Sequence, residues 1–408
     1  MAQGQGRTEF QPAGILKYVE ELKRGPNTEI EEKDFFEIAS NMLYAIFISV
    51  GFLAACGGFL AAVLVVAEKK ILNYGPCNLD INAGERELTV DGGSPLLSAL
   101  AENSIFIPSA CGGRGSCAYC KLKVLEGAGF VGPVEEPHLT TEELETGVRL
   151  SCQVKIRNDL KIEIPKELFA VKHFRAKLIE KEMLTYDIAG LRIELIEPQT
   201  IDFVAGQYIQ LESEEYKGRE SVMRAYSISS VPSDNRHIEM MIRKVPEGIC
   251  TTWVFDYLQK GKELYFSGPY GEFHLSETDA PIIFIAGGSG MAPIWSIIQR
   301  MVEEGIQRNS VYFFGALAQK DLFYTDELNK IADSSEWFKF VPALSQEPDD
   351  SDWQGERGLI TDVVKRYFPD TSAHEGYLCG SPGMINACVS VLTEGGMPEE
   401  KIYYDKFA

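Results

Sequence analysis

One uncharged stretch constrains this chain more than any other feature of its sequence. Thirty consecutive residues, 38–67, contain no Asp, Glu, Lys or Arg, and residues 42–67 (MLYAIFISVGFLAACGGFLAAVLVVA) are almost wholly apolar. As an α-helix, residues 42–67 would reach roughly 39 Å, enough to cross a hydrocarbon core about 30 Å thick. The sequence therefore predicts a transmembrane helix, with a buried core helix as the alternative. A cleavable signal peptide is disfavoured, because the stretch is long, begins late and lacks a basic flank before it.

The charges on either side of this stretch predict its orientation. Lys69 and Lys70 follow it closely, whereas the charged residues immediately before it, at the end of a polar tail (residues 1–41), are acidic apart from Lys33. Because Lys and Arg favour the cytoplasmic side, the large C-terminal part is expected in the cytoplasm. The formal net charge of −21 disfavours nucleic acid or anionic lipid as the main partner, since both attract clustered Lys and Arg.

Four of the nine cysteines lie in or after one glycine-rich region. In SACGGRGSCAYC (residues 109–120), Cys111, Cys117 and Cys120 follow the spacing C-x5-C-x2-C, and Cys152 comes later in RLSCQV. Four thiolates suit a [2Fe–2S] cluster or zinc. The glycines permit left-handed backbone angles that turn amide N–H groups toward cluster sulfurs, whereas a structural zinc site usually has two C-x2-C pairs. The sequence therefore favours a [2Fe–2S] cluster with these four cysteines as ligands.

The elements expected around this loop are typical of a β-grasp ferredoxin domain, which we place at residues 76–165. Short strands are predicted over residues 78–81, 87–90, 121–125 and 161–164, and a helix over residues 95–102. All-cysteine ligation predicts a low reduction potential, near the ~−400 mV of plant-type ferredoxins. Four further cysteines are interpreted as buried structural thiols: Cys56, Cys77, Cys250 and Cys388.

The next part of the chain has the pattern of an antiparallel β-barrel, which we place at residues 172–276. Strands separated by short polar turns are predicted over residues 175–179, 189–195, 207–211, 225–229 and 237–242.

A tetrapeptide in this segment, Arg224-Ala225-Tyr226-Ser227, carries groups that suit a flavin nucleotide. The Arg224 guanidinium can pair with a pyrophosphate, the Tyr226 ring can stack on an isoalloxazine, and the Ser227 hydroxyl can hydrogen-bond flavin N5, where hydride arrives. A phosphate seat is expected where free N–H groups and threonines precede a helix predicted over residues 253–259. The residues of that seat are Gly248, Thr251 and Thr252.

Taken in order, these motifs resemble the barrels of ferredoxin-NADP reductase-like proteins. R-x-Y-S is followed by G-x-x-T and then by GPYGEF at residues 268–273, which matches the G-P-x-G-x-F that closes such barrels. The resemblance implies a bound FAD and adds Gly271 to the residues that hold it. An ordinary barrel with chance matches is the alternative.

Residues 281–286 are predicted to form a buried strand. The glycine-rich segment GGSGMAP and then a predicted helix follow it. Glycines at this point allow a pyrophosphate to approach the backbone at a helix N-terminus. Pro293 occupies the last position of the segment, so it is not G-x-G-x-x-G, and a Rossmann FAD site is not expected here. Further strands over residues 311–315, 338–343 and 376–379 predict an α/β dinucleotide domain at residues 280–408. The candidate contacts are Gly287, Gly288, Gly290, Met291 and Pro293.

The segment CGSPGM, residues 379–384, matches the C-G-x-P-x-M of the same reductase family. The resemblance implies that Cys379 lies near the nicotinamide C4 and that the turn with Gly380, Pro382 and Met384 receives the dinucleotide. It also implies that Phe407 covers the flavin until nicotinamide displaces it. A buried structural thiol and a plain packing aromatic are the alternatives for Cys379 and Phe407.

The segment after Gly315 favours NADH over NADPH. A 2′-phosphate is normally bound by Arg, but here Lys320 is the only cation and Asp321 opposes it.

The order of the modules resembles the F subunit of the sodium-translocating NADH:quinone oxidoreductase of bacteria. SACGGRGSCAYC, RLSCQV, RAYS, GPYGEF, GGSGMAP, CGSPGM and the ending DKFA carry the resemblance over residues 42–408. It implies a multidomain α+β and α/β protein with one transmembrane helix, a [2Fe–2S] domain, a FAD barrel and an NAD domain.

The resemblance also implies the chemistry and its setting. Electrons would pass from NADH to FAD, then to the cluster, then to a membrane acceptor, with Tyr226, Ser227, Cys379 and Phe407 at the reacting centre. The partners would be other integral membrane subunits that carry a quinone site, in a bacterial inner membrane. Two alternatives stay open: a reductase component that feeds an oxygenase, and a non-enzymatic redox sensor.

Overall fold

The computed structural model describes residues 32–71, 74–109 and 111–407. The chain divides into two compact units, Met1–Asn73 and Tyr74–Ala408. Most of the predicted polar tail therefore lies outside the described residues.

The first unit contains a single described helix, α1, over Glu32–Ile71. Its segment Leu43–Val63 is long and apolar enough to cross a membrane, and none of that segment is buried within the protein. A helix suits this role because it satisfies its own backbone hydrogen bonds in lipid. The alternative of a buried core helix is thus wrong. The prediction that Cys56 is a buried thiol is also wrong, because Cys56 is exposed on this helix.

The ferredoxin-like part begins the second unit with a five-stranded sheet in the order β2-β1-β5-β3-β4. Strands β1 and β5 are parallel, and the other pairs are antiparallel. Alternating strand residues such as Leu79 and Ile81 are fully buried in the core of this part. Its elements are β1 Pro76–Ile81, β2 Arg86–Asp91, α2 Leu96–Glu102, β3 Lys121–Glu126, α3 Thr141–Glu145, β4 Val148–Leu150 and β5 Leu160–Glu163. The predicted strands and helix are confirmed.

The barrel is a six-stranded antiparallel sheet in the order β10-β7-β6-β11-β8-β9. A bridge between Ile228 and Met240 brings the two edges together and nearly closes the sheet. The strands are β6 Lys172–Met183, β7 Ile188–Glu197, β8 Tyr208–Glu212, β9 Met223–Ser227, β10 His237–Arg243 and β11 Glu263–Tyr270.

The helix predicted over residues 253–259 begins earlier and changes form. A short helix, α4, covers Ile249–Thr252, and a π-helical turn continues it over Trp253–Tyr257. Trp253 and Val254 are both fully buried in the barrel core, so packing sets where this segment lies.

The last part is a parallel sheet in the order β15-β14-β13-β12-β16-β17, as an α/β dinucleotide domain requires. Its strands are β12 Ile282–Gly287, β13 Ser310–Ala316, β14 Phe338–Leu344, β15 Glu356–Arg357, β16 Glu375–Gly380 and β17 Ile402–Lys406. Its helices are α5 Met291–Glu304, α6 Thr325–Ser334, α7 Ile360–Tyr367 and α8 Pro382–Glu394.

A buried ion pair joins the chain segment that follows the barrel to the dinucleotide domain. Arg308 Nη2 lies 2.9 Å from Glu375 Oε2, and the two side chains are 6% and 2% exposed. Glu375 also accepts hydrogen bonds from Ser276 Oγ and Thr278 Oγ1, both at 2.6 Å. These polar contacts hold the exit of the barrel against the strand that carries Cys379.

Candidate functional site

The structure brings the four predicted cluster ligands together as two pairs. The sulfurs of Cys111 and Cys117 lie 3.4 Å apart, and Cys120 and Cys152 share a hydrogen bond. Within each pair, the hydrogen bond between the two thiols lowers the pKa of one, Cys111 or Cys152, and raises the pKa of the other, Cys117 or Cys120.

This arrangement suits a two-iron cluster. A [2Fe–2S] cluster takes two protein ligands on each iron, as two thiol pairs can supply. The loop glycines adopt the left-handed angles that the sequence predicted; they are Gly112, Gly113 and Gly115.

A buried ion pair that the sequence analysis missed supports the cluster loop. Arg149 donates to both carboxylate oxygens of Glu135, at 3.0 and 2.6 Å, and to the carbonyls of Gly129 and Phe130. The side chains of Arg149 and Glu135 are 7% and 1% exposed. These contacts fix the loop that ends at Glu135, whose Val134 side chain lies against Gly115. Arg149 opens the RLSCQV motif, but that motif was interpreted only for Cys152, and Glu135, 14 positions earlier, lies in a segment with no motif.

The RAYS residues lie on β9, as the motif predicted, and Ser227 meets the requirement for a flavin contact. Its hydroxyl is buried and has no hydrogen-bond partner among the described residues. A buried hydroxyl without a partner is costly unless a ligand supplies one. The Ser227 hydroxyl is therefore available to a bound ligand, and its contact with flavin N5 stays a prediction.

The Arg224 side chain lies beside the cluster loop. Its Nη1 donates to its neighbour's carbonyl, Met223 O, at 2.7 Å. A Cβ on Gly112 would collide with the Arg224 guanidinium, so this glycine lets the cluster loop approach β9.

The predicted phosphate-binding turn differs from the expectation at one residue, Thr251. Thr251 is buried, and its hydroxyl accepts from Val245 N–H at 3.2 Å, so it shapes its own turn. Thr252 is half-buried. At the close of the barrel Gly271 has φ +99°, and an added Cβ would lie 3.0 Å from the Tyr208 ring, so only glycine suits this turn.

Two glycine-rich motifs meet at the carboxyl ends of adjacent parallel strands, β12 and β16. A Cβ on Gly290 would collide with the Cys379 carbonyl, and one on Gly287 would lie 2.9 Å from Met384 Sδ. Gly288 and Gly380 both have positive φ, at 57° and 151°. Such close backbone packing at this edge is typical of a dinucleotide crevice.

The remaining predicted nucleotide contacts lie at the helix ends beside this crevice. Met291 and Pro293 are buried in the first turn of α5, so their side chains pack in the core. Pro382 opens α8, where Ser381 Oγ accepts from Met384 N–H at 3.4 Å.

Cys379 is fully buried, and burial raises the pKa of its thiol well above the ordinary value. It therefore stays protonated, and its interpretation as a structural thiol remains open. Phe407 is anchored beside it, because its N–H donates to Gly380 O at 2.9 Å and its ring packs against the core of the dinucleotide domain.

The ferredoxin-like part and the barrel contact each other through aromatic rings. Phe106 stacks on His173 at 5.8 Å, and His173 stacks on Tyr265 at 5.7 Å. A cavity of about 210 Å³ lies between α2 and the barrel, and the buried amide of Gln210, which has no partner among the described residues, lines it.

Three family models match successive parts of the chain. They describe a 2Fe-2S iron-sulfur cluster binding domain at residues 79–157, an oxidoreductase FAD-binding domain at residues 175–275 and an oxidoreductase NAD-binding domain at residues 284–390. The predictions of [2Fe–2S], FAD and NADH as cofactors and of the fold class are confirmed.

Curated relatives match nearly end to end. The F subunit of the Na(+)-translocating NADH-quinone reductase of Pseudomonas aeruginosa is 34% identical over 404 residues, which cover 89% of this chain and 99% of that protein. The protein of the same name in Neisseria meningitidis is 33% identical over 85% of this chain and 96% of its own length.

Two solved structures resemble most of this chain in fold. The Amycolatopsis cytochrome P450 reductase GcoB is 28% identical, with a TM-score of 0.66 over 81% of this chain and 98% of its own. The ferredoxin reductase in carbazole 1,9a-dioxygenase is 26% identical, with a TM-score of 0.63 over 82% of this chain and 99% of its own.

Proposed function

Because the chain belongs to the family of Na(+)-translocating NADH-quinone reductase F subunits, we propose that it is the electron-input component of a respiratory quinone reductase complex. It is an NADH-oxidising enzyme that depends on FAD and a [2Fe–2S] cluster. The observation that carries the proposal is the contact of the cluster loop with β9 in a chain that also has a membrane-crossing helix.

The cofactors supply the electron chemistry: when bound, FAD takes an electron pair as hydride from NADH and the cluster carries one electron at a time. The protein holds and orients them. When the cluster is bound, Cys111 with Cys117 would hold one iron and Cys120 with Cys152 the other. The Ser227 hydroxyl supplies a hydrogen bond at flavin N5, and its burial excludes water from that position.

The other proposed flavin contacts surround this hydroxyl. Arg224 pairs with the pyrophosphate and Tyr226 packs on the isoalloxazine. The turn at Gly248 provides backbone N–H groups for phosphate, with Thr252 beside it, while Thr251 keeps the turn in shape.

Hydride donation takes place beside Cys379 in this proposal. The crevice between Gly287 and Met384 receives the dinucleotide, and the neutral Cys379 thiol packs beside the nicotinamide as an apolar surface. Phe407 covers the flavin when the dinucleotide is absent.

The choice of dinucleotide rests on the segment after Gly315. Lys320 lies over the Tyr186 ring at 5.2 Å, and Asp321 accepts from Ala318 N–H at 2.9 Å. Neither offers an arginine-like site for a 2′-phosphate, so we propose NADH as the donor.

The acceptor lies in partner subunits in this proposal. One helix cannot form both a sodium pathway and a quinone site, so integral membrane partners must provide them. The lysines after the helix support a position of the enzyme domains on the cytoplasmic side of a bacterial inner membrane.

Sizing the native species tests this proposal. The protein is extracted from its membranes in mild detergent, the NADH-oxidising species is sized, and quinone reduction is measured with and without sodium. A large species with several multi-span subunits and sodium-stimulated quinone reduction supports the respiratory complex. A species no larger than this chain contradicts it.

The similarity to two oxygenase reductases supports a second candidate, a reductase that feeds a membrane-bound oxygenase. Copurification of a diiron or haem oxygenase with the NADH-oxidising species would establish it in place of the first.

A further inference from the structure

Tyr119 joins the cluster loop to the end of the chain. It lies between two cluster ligands, Cys117 and Cys120, and its hydroxyl donates to Asp405 Oδ1 at 3.0 Å across 286 residues of sequence. Asp405 lies on β17, opposite Cys379 on β16 and two residues before Phe407. One hydrogen bond therefore links the cluster loop to the strand that borders the nicotinamide crevice.

The same side chain also contacts the barrel. The Tyr119 ring packs edge-on against Tyr208, with centroids 6.2 Å apart at 76°, and Tyr208 stacks on Tyr270 at 5.5 Å. Tyr208 pairs with Ser227 in the register of β8 and β9. Tyr119 thus contacts both domains that enclose the flavin site while its backbone belongs to the cluster loop.

The rest of this boundary combines packed rings with a cavity. Phe106 and Tyr265 both stack on His173, whereas a cavity of about 210 Å³ lies between α2 and the barrel; residues 164–171 connect β5 to β6. Tyr119 itself is 37% exposed, so water can replace its bond to Asp405. Interfaces between domains of one chain resemble transient protein–protein interfaces, so domains that move apart and return to the same contact are the default expectation.

We propose that Tyr119 is a positioning residue that latches the cluster loop onto β17 through Asp405. The latch keeps the cluster beside the flavin for the internal transfer, and its release frees the loop to meet the membrane acceptor. This inference rests on the proposed function. It adds no chemical step, because Tyr119 transfers neither an electron nor a proton.

The strength of one charge-assisted hydrogen bond at a partly exposed site predicts the size of the effect. Removing the hydroxyl should shift the equilibrium constant between the docked and undocked loop about tenfold. Tyr119→Phe removes the hydroxyl but keeps the ring on Tyr208. Asp405→Asn keeps an acceptor oxygen but removes the charge, so its effect should be smaller. The matched control is Tyr404→Phe, which changes an exposed neighbour of Asp405.

Two measurements on the full chain in detergent, with both cofactors bound, test the latch. The first is hydrogen–deuterium exchange of the peptides that cover residues 112–120 and 402–407. Tyr119→Phe should raise exchange of the loop about tenfold, and Tyr404→Phe should leave it unchanged. The cluster absorption spectrum shows whether the loop is intact. Asp405→Asn repeats the exchange measurement with the change placed in the dinucleotide domain.

The second measurement follows flavin bleaching and cluster reduction separately after mixing with NADH. In Tyr119→Phe, flavin bleaching should keep its rate while cluster reduction slows, by at most about tenfold. The double variant Tyr119→Phe/Asp405→Asn should be no slower than Tyr119→Phe, because Tyr119→Phe already removes the contact that Asp405→Asn weakens.

Wild-type exchange and wild-type cluster reduction in Tyr119→Phe would overturn the latch, as would additive effects in the double variant. If NADH bleaches the wild-type flavin and the cluster never becomes reduced, the proposed function fails instead. The exchange measurement would still decide the latch in that case.

Discussion

The Arg308–Glu375 pair offers the most quantitative test of the structure. Arg308 donates to Glu375 at 2.9 Å and to Ala280 O at 2.6 Å. Substituting methionine keeps the apolar stem but leaves the Glu375 carboxylate, 2% exposed, without its cation. Breaking a buried ion pair from one side costs about 3–5 kcal/mol. In a large domain we therefore expect Arg308→Met to lower the melting temperature by about 6–15 °C.

Thermal unfolding of the full chain in detergent, followed by circular dichroism, measures this change. The matched control is Arg300→Met, which removes an i,i+4 pair with Glu304 in which the side chains are 28% and 50% exposed. Such a surface pair is worth about 0.3–0.5 kcal/mol, so the control should melt within about 2 °C of the wild type. The double variant Arg308→Met/Glu375→Leu should recover part of the loss, because no charge is left unpaired. If Arg308→Met melts like the control, the buried pair does not hold the barrel exit as described.

Three further predictions concern the cofactor residues and pH. Cys152→Ser should abolish the visible and electron paramagnetic resonance signals of the cluster while FAD stays bound; a retained wild-type cluster would show that Cys152 is not a ligand. Ser227→Ala should slow flavin reduction by NADH about tenfold to a hundredfold with little change in KM, measured by stopped flow, and an unchanged rate would remove Ser227 from the reacting centre. For Glu135 and Glu375, burial alone raises the pKa, but hydrogen bonds, including those from Arg149 and Arg308, leave each pKa below its ordinary value. Their contribution to stability is present above the unfolded-state pKa of about 4.3 and is lost as the pH falls through the lower folded-state pKa. The melting temperature should therefore fall steeply below pH 4, and a flat profile between pH 5 and pH 3 would contradict this.

Much of the fold followed from short-range patterns. Alternating apolar residues predicted four of the five strands of the first sheet and five of the six barrel strands to within a few residues, because each strand buries one face. The strands β4 and β11 were not predicted. The GGSGMAP and CGSPGM loops could be recognised because a crevice that admits a pyrophosphate requires glycines at set positions. The cofactor types and the family followed from the same motifs. The domain limits and the roles of individual site residues stay predictions.

Other features depended on contacts that no local pattern encodes. The helix predicted over residues 253–259 begins at Ile249 because burial of Trp253 under the barrel places that segment. Cys56 is exposed because it lies on an apolar helix that is not buried within the protein.

The sequence by itself determined the helix that is long and apolar enough to cross a membrane, the four-cysteine pattern and the order of the cofactor modules, because each depends on residues close together in the chain. Only the tertiary structure decided how the modules meet. The Tyr119–Asp405 bond spans 286 positions, Arg308–Glu375 spans 67, and the buried, unpartnered Ser227 hydroxyl exists only once its neighbours among the described residues pack around it. Such contacts depend on three-dimensional packing, which local residue spacing does not reveal.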